Sequence, residues 1–173
     1  MQGDKKQDLV EAAKIFSALR ENTKSLMLAT VGEDSVPNVS YAPFVTDETN
    51  NLFVYVSRLS ARTSEMLSNN VVAVMLIEDE VGVNQIFARK RISYQCGIQV
   101  VDRNDLKYEQ VLDRMSNRFG NIVSVLRSLS DFHLFRLSPI SGRFVTGFGQ
   151  AYELTGEHLD TLVHIGAGQI SDA

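Results

Sequence analysis

Between Ser25 and Val56 the chain offers three apolar runs in succession, Ser25–Val31, Val36–Thr46 and Leu52–Val56, separated only by the polar spacers GEDS and DETNN. Spacers this short cannot make a parallel crossover, which needs roughly a dozen residues. The three runs must therefore lie as antiparallel neighbours, a meander whose turns are set by Gly32, Asp47 and the adjacent asparagines.

The remaining periodicities extend that meander. Leu9, Ala12, Ala13, Phe16 and Leu19 recur at helical spacing over residues 8–22, with Asp8 placed to cap the helix. Val71–Ile77 is continuously apolar and predicts a strand buried on both faces. Residues 85–101 read as one long extended segment, with Gly97 marking a bulge or bend. A helix is expected from Asp105 to Phe119, stopped by Gly120, with a further turn or two over 122–129. Two strands, 132–138 and 143–148, are expected to flank a turn at Pro139–Gly142. A tail, 151–173, contains a possible short helix at 157–164. Six or more strands dominated by antiparallel neighbours, with short helices between them, predict a single domain over residues 1–173, mainly β, closed into a small or split barrel.

A net charge of −4 gives the chain no general attraction to nucleic acid or to an anionic membrane, so any anion site must be local. The single cysteine, Cys96, excludes an intramolecular disulfide and sits in a strand-like run that suits a buried structural thiol. No apolar signal segment and no membrane-length apolar run is present in the sequence, and a cytoplasmic location is the expectation.

The segment NLFVYVSRLSARTSEMLS, Asn51 to Ser68, carries the first candidate chemistry. It reads as a strand, a polar turn from Ser57 to Ser60, and a helix opening with Ala61, Arg62 and Thr63. Amide groups at a helix start lack partners within the helix, and the helix dipole adds positive potential there. Ser57 and Ser60 supply hydroxyl donors and Arg62 a guanidinium fork, a pattern suited to phosphate or carboxylate, although Ser60 equally suits a plain N-cap. A second candidate lies at Phe87–Arg91. On an extended chain Arg89 and Arg91 point to one face, either as a paired anion receptor or as the charges that guard an exposed edge strand. The acids Glu78, Asp79 and Glu80 read as a solvated turn. Three histidines, His133, His158 and His164, are the candidates for an iron-bound imidazole.

The blocks NVSYAPFV (38–45), IEDE (77–80), FARKR (87–91), DFHLFRL (131–137) and GRFVTGFGQAY (142–152) together resemble the bacterial HutZ/HugZ haem-utilisation proteins, over nearly the whole chain. The resemblance implies a split β-barrel of the pyridoxamine-phosphate-oxidase, FMN-binding type, paired as a homodimer with ligand sites at the subunit interface. It also implies handling of haem b inside the cell, with oxidative opening of the macrocycle to a biliverdin-like product, and a partner that delivers haem or electrons. Arg89 and Arg91 would hold the propionates, and Asp131 matches the aspartate that supports the iron ligand from the other subunit.

One position departs from the pattern. The family's iron-binding histidine lies in a GHxxIS-like tail, whereas this chain reads GAGQIS, with Ala167 in that place. Alanine cannot ligate iron, which leaves His164 as the replacement candidate. Within the same superfamily the alternative cofactor is FMN, its phosphate clasped by Ser57, Ser60, Arg62 and Thr63 and its ring lying along Ser40, Tyr41 and Ala42. A non-catalytic haem storage or transfer module is a third reading.

Overall fold

The computed structural model describes residues 2–166, and side chains from residue 7 onward. Helix α1 (Gln2–Asn22) precedes the expected meander, β1 (Ser25–Val31), β2 (Pro37–Thr46) and β3 (Leu52–Ser57). Helix α2 (Ala61–Ser68) leads to β4 (Val71–Ile77), β5 (Arg91–Val101), α3 (Leu106–Phe119) and α4 (Ile122–Arg127). The chain continues through β6 (Phe132–Gly147), β7 (Gln150–Thr155) and β8 (Thr161–His164). Every strand pair is antiparallel. The order β3-β2-β1-β4-β5-β6 closes on itself through β3–β6 pairing, giving a six-stranded barrel from which β7 and β8 extend.

The barrel interior is filled by alternate residues of each strand, among them Leu26, Leu28, Phe44, Leu76, Ile92, Phe135 and Phe144, all fully buried. Its one end is stoppered by α1 through Ala12, Phe16 and Leu19. Phe16 meets Phe144 edge-on at 5.3 Å between ring centroids. A second core lies outside the wall, where Phe53, Tyr55 and Leu134 pack against Tyr108, Val111, Leu112 and Met115 of α3 and Val123 of α4. Strand β3 is therefore buried on both sides, with Leu52, Val54 and Val56 inward and Phe53 and Tyr55 toward α3.

Five expectations need correction. β4 is not buried on both faces: Val72, Val74 and Leu76 point inward while Val71 and Ala73 are exposed. Residues 132–147 form one strand rather than two around a turn, because Pro139 pairs opposite Cys96, beside the register shift at Gln95/Cys96, where a ladder tolerates a residue without an N–H. Segment 85–101 is not continuously extended, since Ile86–Ala88 form a 3-10 turn ahead of β5. Residues 161–164 pair with β7 as a strand, not as part of a helix. Asp8 lies within α1 instead of capping it.

Candidate functional site

The outward face of the sheet is the first component. Residues Tyr41, Met27, Met75, Ser93, Arg143 and Glu153 stand in register across β2, β1, β4, β5, β6 and β7. The next row runs Val39, Ala29, Ala73, Gln95 and Ser141. The face thus grades from bare apolar side chains, with Val39 and Tyr41 each 68% exposed, to polar and charged ones. A cleft of about 750 Å³ follows these rows and is floored by Met27, Ala29, Ala73 and Met75. A bare apolar patch of this kind marks a place where another surface or ligand docks.

The strand-turn-helix that follows β3 is the second. Ser60 begins α2 in an extended conformation and makes no side-chain cap. The Arg62 guanidinium reaches back through Nη1 to the Tyr41 carbonyl at the rim of the outward face, and its buried Nε has no partner. Burial lowers the arginine's pKa. Thr63 is fully buried and donates to the Ser57 carbonyl at 2.6 Å, so its hydroxyl serves the turn itself. Glu65, one turn further on, accepts from Thr30 Oγ1 and Asn38 Nδ2, each at 2.5 Å, which ties α2 to the β1–β2 hairpin.

Asp131 enters this turn from the far end of the sequence. Ser57 Oγ donates to Asp131 Oδ2 at 2.6 Å, and the Arg58 amide donates to the Asp131 carbonyl at 2.7 Å. The segment around Asp131 is gripped from behind by Arg103, whose Nη2 lies 3.3, 3.2 and 3.1 Å from the carbonyls of Leu129, Ser130 and Phe132. Two candidate sites that looked separate along the chain are thus joined by two hydrogen bonds. Neither Arg103 nor Glu65 was flagged by the sequence, since their partners lie 26 to 35 residues away.

Arg89 and Arg91 are placed differently from expectation. Arg89 closes the 3-10 turn rather than lying on β5, and its guanidinium turns onto the Glu78 carbonyl and, at 2.8 Å, onto Glu80 Oε1. Lys90 likewise holds Glu78, at 3.2 Å. Arg91 opens β5 and donates to the Arg89 carbonyl at 3.0 Å. Glu78 and Glu80 therefore engage Arg89 and Lys90, and the two arginines are not a free pair on one strand face.

His164 closes β8, two residues before the end of the described tail. It is exposed on β8, opposite Tyr152, with the rings edge-on at 5.3 Å. Ala167 lies outside the described residues. His133 pairs opposite Val56 beside Phe135, and the His158 carbonyl accepts from Asn50 Nδ2 at 2.5 Å. No group of three or more histidine, cysteine or acidic residues able to hold a metal ion occurs among the described residues. No helix among them is long and apolar enough to cross a membrane.

A flavin phosphate does not fit the turn as it stands. The amides of Arg58, Leu59, Ser60 and Thr63 all donate to this chain's own oxygens, the single Ser57 proton is given to Asp131, and a carboxylate already faces the hydroxyl. The outward cleft, by contrast, has an apolar floor that runs in register toward Arg143, which stands opposite Glu153.

A six-stranded antiparallel barrel with a strand-turn-helix at this position defines a class, and residues 13–146 match the model of the pyridoxamine 5'-phosphate oxidase family. The chain belongs to that family, in its HutZ/HugZ branch. It is 43% identical over 149 residues to the heme oxygenase HutZ of Vibrio cholerae serotype O1, covering 86% of this chain and 84% of HutZ. The crystal structure of V. cholerae HutZ, there called a heme storage protein, is 40% identical with a TM-score of 0.69 and covers 73% of this chain and 88% of that one. Campylobacter jejuni ChuZ is 29% identical with a TM-score of 0.82, spanning 92% of this chain and 64% of ChuZ.

Proposed function

We propose that the chain is a cytoplasmic haem-utilisation protein that binds haem b in the outward cleft of a homodimer and opens it oxidatively to a biliverdin-like product. What carries this reading is the exposed row Tyr41–Met27–Met75 running in register into Ser93 and Arg143. Covering that row with a second copy would bury apolar surface that water otherwise wets, and the charged end would stay available to propionates. Identity to V. cholerae HutZ supports the ligand.

Haem, when bound, supplies the iron centre for oxygen chemistry fed by an external reductant. This chain's own part is positional. Asp131 holds one carboxylate oxygen on Ser57, and the other would be placed to accept from a histidine that held the haem and so raise its basicity. His164 is the proposed imidazole, being exposed and close in sequence to Ala167. Arg91 is the proposed propionate holder, because Arg89 is engaged by Glu78 and Glu80. A haem-delivery or reductase partner belongs to the same reading.

A second reading, haem storage or transfer without turnover, draws support from Ala167 and from the description of V. cholerae HutZ as a storage protein. The flavin alternative draws on the family and on the unpaired Arg62 Nε, and the carboxylate at Ser57 speaks against it. Titration with hemin, followed by ascorbate in air, separates them. A stoichiometric Soret shift that bleaches with ascorbate supports degradation, and a shift that persists supports storage. Absence of any shift overturns both. An unchanged ferric spectrum in His164→Ala removes His164 as the ligand.

A further inference from the structure

We infer that Asp131 is an internal anion that closes the strand-turn-helix at Ser57–Thr63 to phosphorylated ligands, so that this chain's ligand choice is set by a residue 74 positions away from the turn it fills.

A phosphate receptor at a helix start works by leaving amide and hydroxyl donors unspent until the ligand arrives. Here those of the turn that leads into the helix are spent. The Arg58 amide gives its proton to the Asp131 carbonyl at 2.7 Å, the Leu59 amide to Ser57 Oγ at 3.1 Å, and the Ser60 amide to the Ser57 carbonyl at 3.2 Å. Ser57 Oγ has one proton and directs it to Asp131 Oδ2 at 2.6 Å, a short bond of the kind that a charged acceptor makes. Asp131 therefore supplies both the acceptor and the negative charge that a phosphate would bring. A dianion entering the turn would meet a carboxylate at close range, which opposes binding.

The occupant is also held in place. Arg103 draws in the carbonyls of Leu129, Ser130 and Phe132 on either side of Asp131, whose own carbonyl is on Arg58. The clamp fixes the backbone that carries the carboxylate, and the carboxylate itself is held by Ser57. What stays open is the buried Nε of Arg62, the uncapped Ser60 hydroxyl and the first amides of α2, the remainder of a receptor whose turn is filled.

The test is a gain of binding in the full chain, with two probes that differ only by the phosphate, FMN and riboflavin, followed by quenching of flavin fluorescence. Asp131→Ser frees the Ser57 proton and removes the charge, while Asp131→Asn keeps the shape and removes the charge alone. Thermal unfolding by circular dichroism checks that each variant is folded, and the isosteric Asn variant carries the test if the Ser variant is not. The expected result is FMN binding at least about tenfold tighter in the variants than in the parent, with riboflavin unchanged and inorganic phosphate competing. Parent protein that binds FMN as tightly as the folded variants overturns the inference, as does a gain shared equally by riboflavin.

Discussion

Lys107 Nζ, from the first turn of α3, lies 2.9 Å from Asp47 Oδ2 at the end of β2, and the same lysine stands 5.3 Å from the centroid of the Phe53 ring. Asp47 is buried and also accepts from the Thr49 and Asn51 amides at 3.1 and 3.0 Å, so one carboxylate organises the β2–β3 turn and docks α3. Burial pushes its pKa up, but the hydrogen bonds from Lys107, Asn51 and Thr49 outweigh burial and bring it from 3.8 to about 2.

That depression fixes a sign. A group whose folded pKa lies below its unfolded value contributes stability above the unfolded value, and loses it as pH falls through the folded one. Asp47 should thus stabilise the fold near neutral pH, and its contribution should drain away between about pH 4 and pH 2. Asp47→Ala is expected to cost about 2 kcal/mol at pH 7 in urea unfolding, and the difference from the parent should shrink toward pH 2. A difference independent of pH would contradict the assignment.

Gly142 is required by packing, not by backbone angle. A Cβ there would lie 2.7 Å from Tyr94 Cδ1 and 2.8 Å from Leu154 Cδ1, inside the contact distance of two rigidly held core side chains. Gly142→Ala should cost about 1–3 kcal/mol in the same unfolding measurement, because neither ring nor leucine can retreat through the filled barrel. A neutral substitution would mean that the interior is looser than described.

Cys96 is fully buried on β5, and burial pushes its thiol up to about 12. Thiolate is the reactive form, so native protein should resist an aromatic disulfide reagent at pH 8 and react fully in denaturant. Modification before unfolding would show that β5 opens locally.

Tyr55 and Tyr108 meet hydroxyl to hydroxyl at 3.2 Å in the outer core. Burial, then the bond to Tyr108, drives the Tyr55 pKa upward. Tyr108→Phe leaves the buried Tyr55 hydroxyl without this partner and should cost about 1–2 kcal/mol, whereas Tyr55→Phe with Tyr108→Phe together should cost less than the two singles added. Additive losses would mean the hydroxyls do not interact.

The meander was legible because spacers of four or five residues permit only antiparallel neighbours; α2 was placed by the polar turn Ser57–Ser60 ahead of it and α3 by its apolar spacing and the Gly120 stop. Strand β6 was not legible, since Pro139 and Gly142 carry turn chemistry locally and only pairing with β5 and β7 overrides it. Ser57 and Asp131 were each visible as candidates. Their contact was not, because no local pattern connects residues across the barrel seam. Arg89 was misplaced because the 3-10 turn at Ile86–Ala88 has no strong signature, and the acids that capture it read as solvent-facing. Lys107 and Arg103 act through partners 60 and 26 to 29 residues distant, beyond the reach of periodicity.

Strand β6 joins Asp131, at its threshold, to Arg143 near its tail, and is bonded along its length to β3, β5 and β7. It acts as a stiff rod through the wall. A ligand pulling on Arg143 and a change of partner at Asp131 would load the same strand from opposite ends.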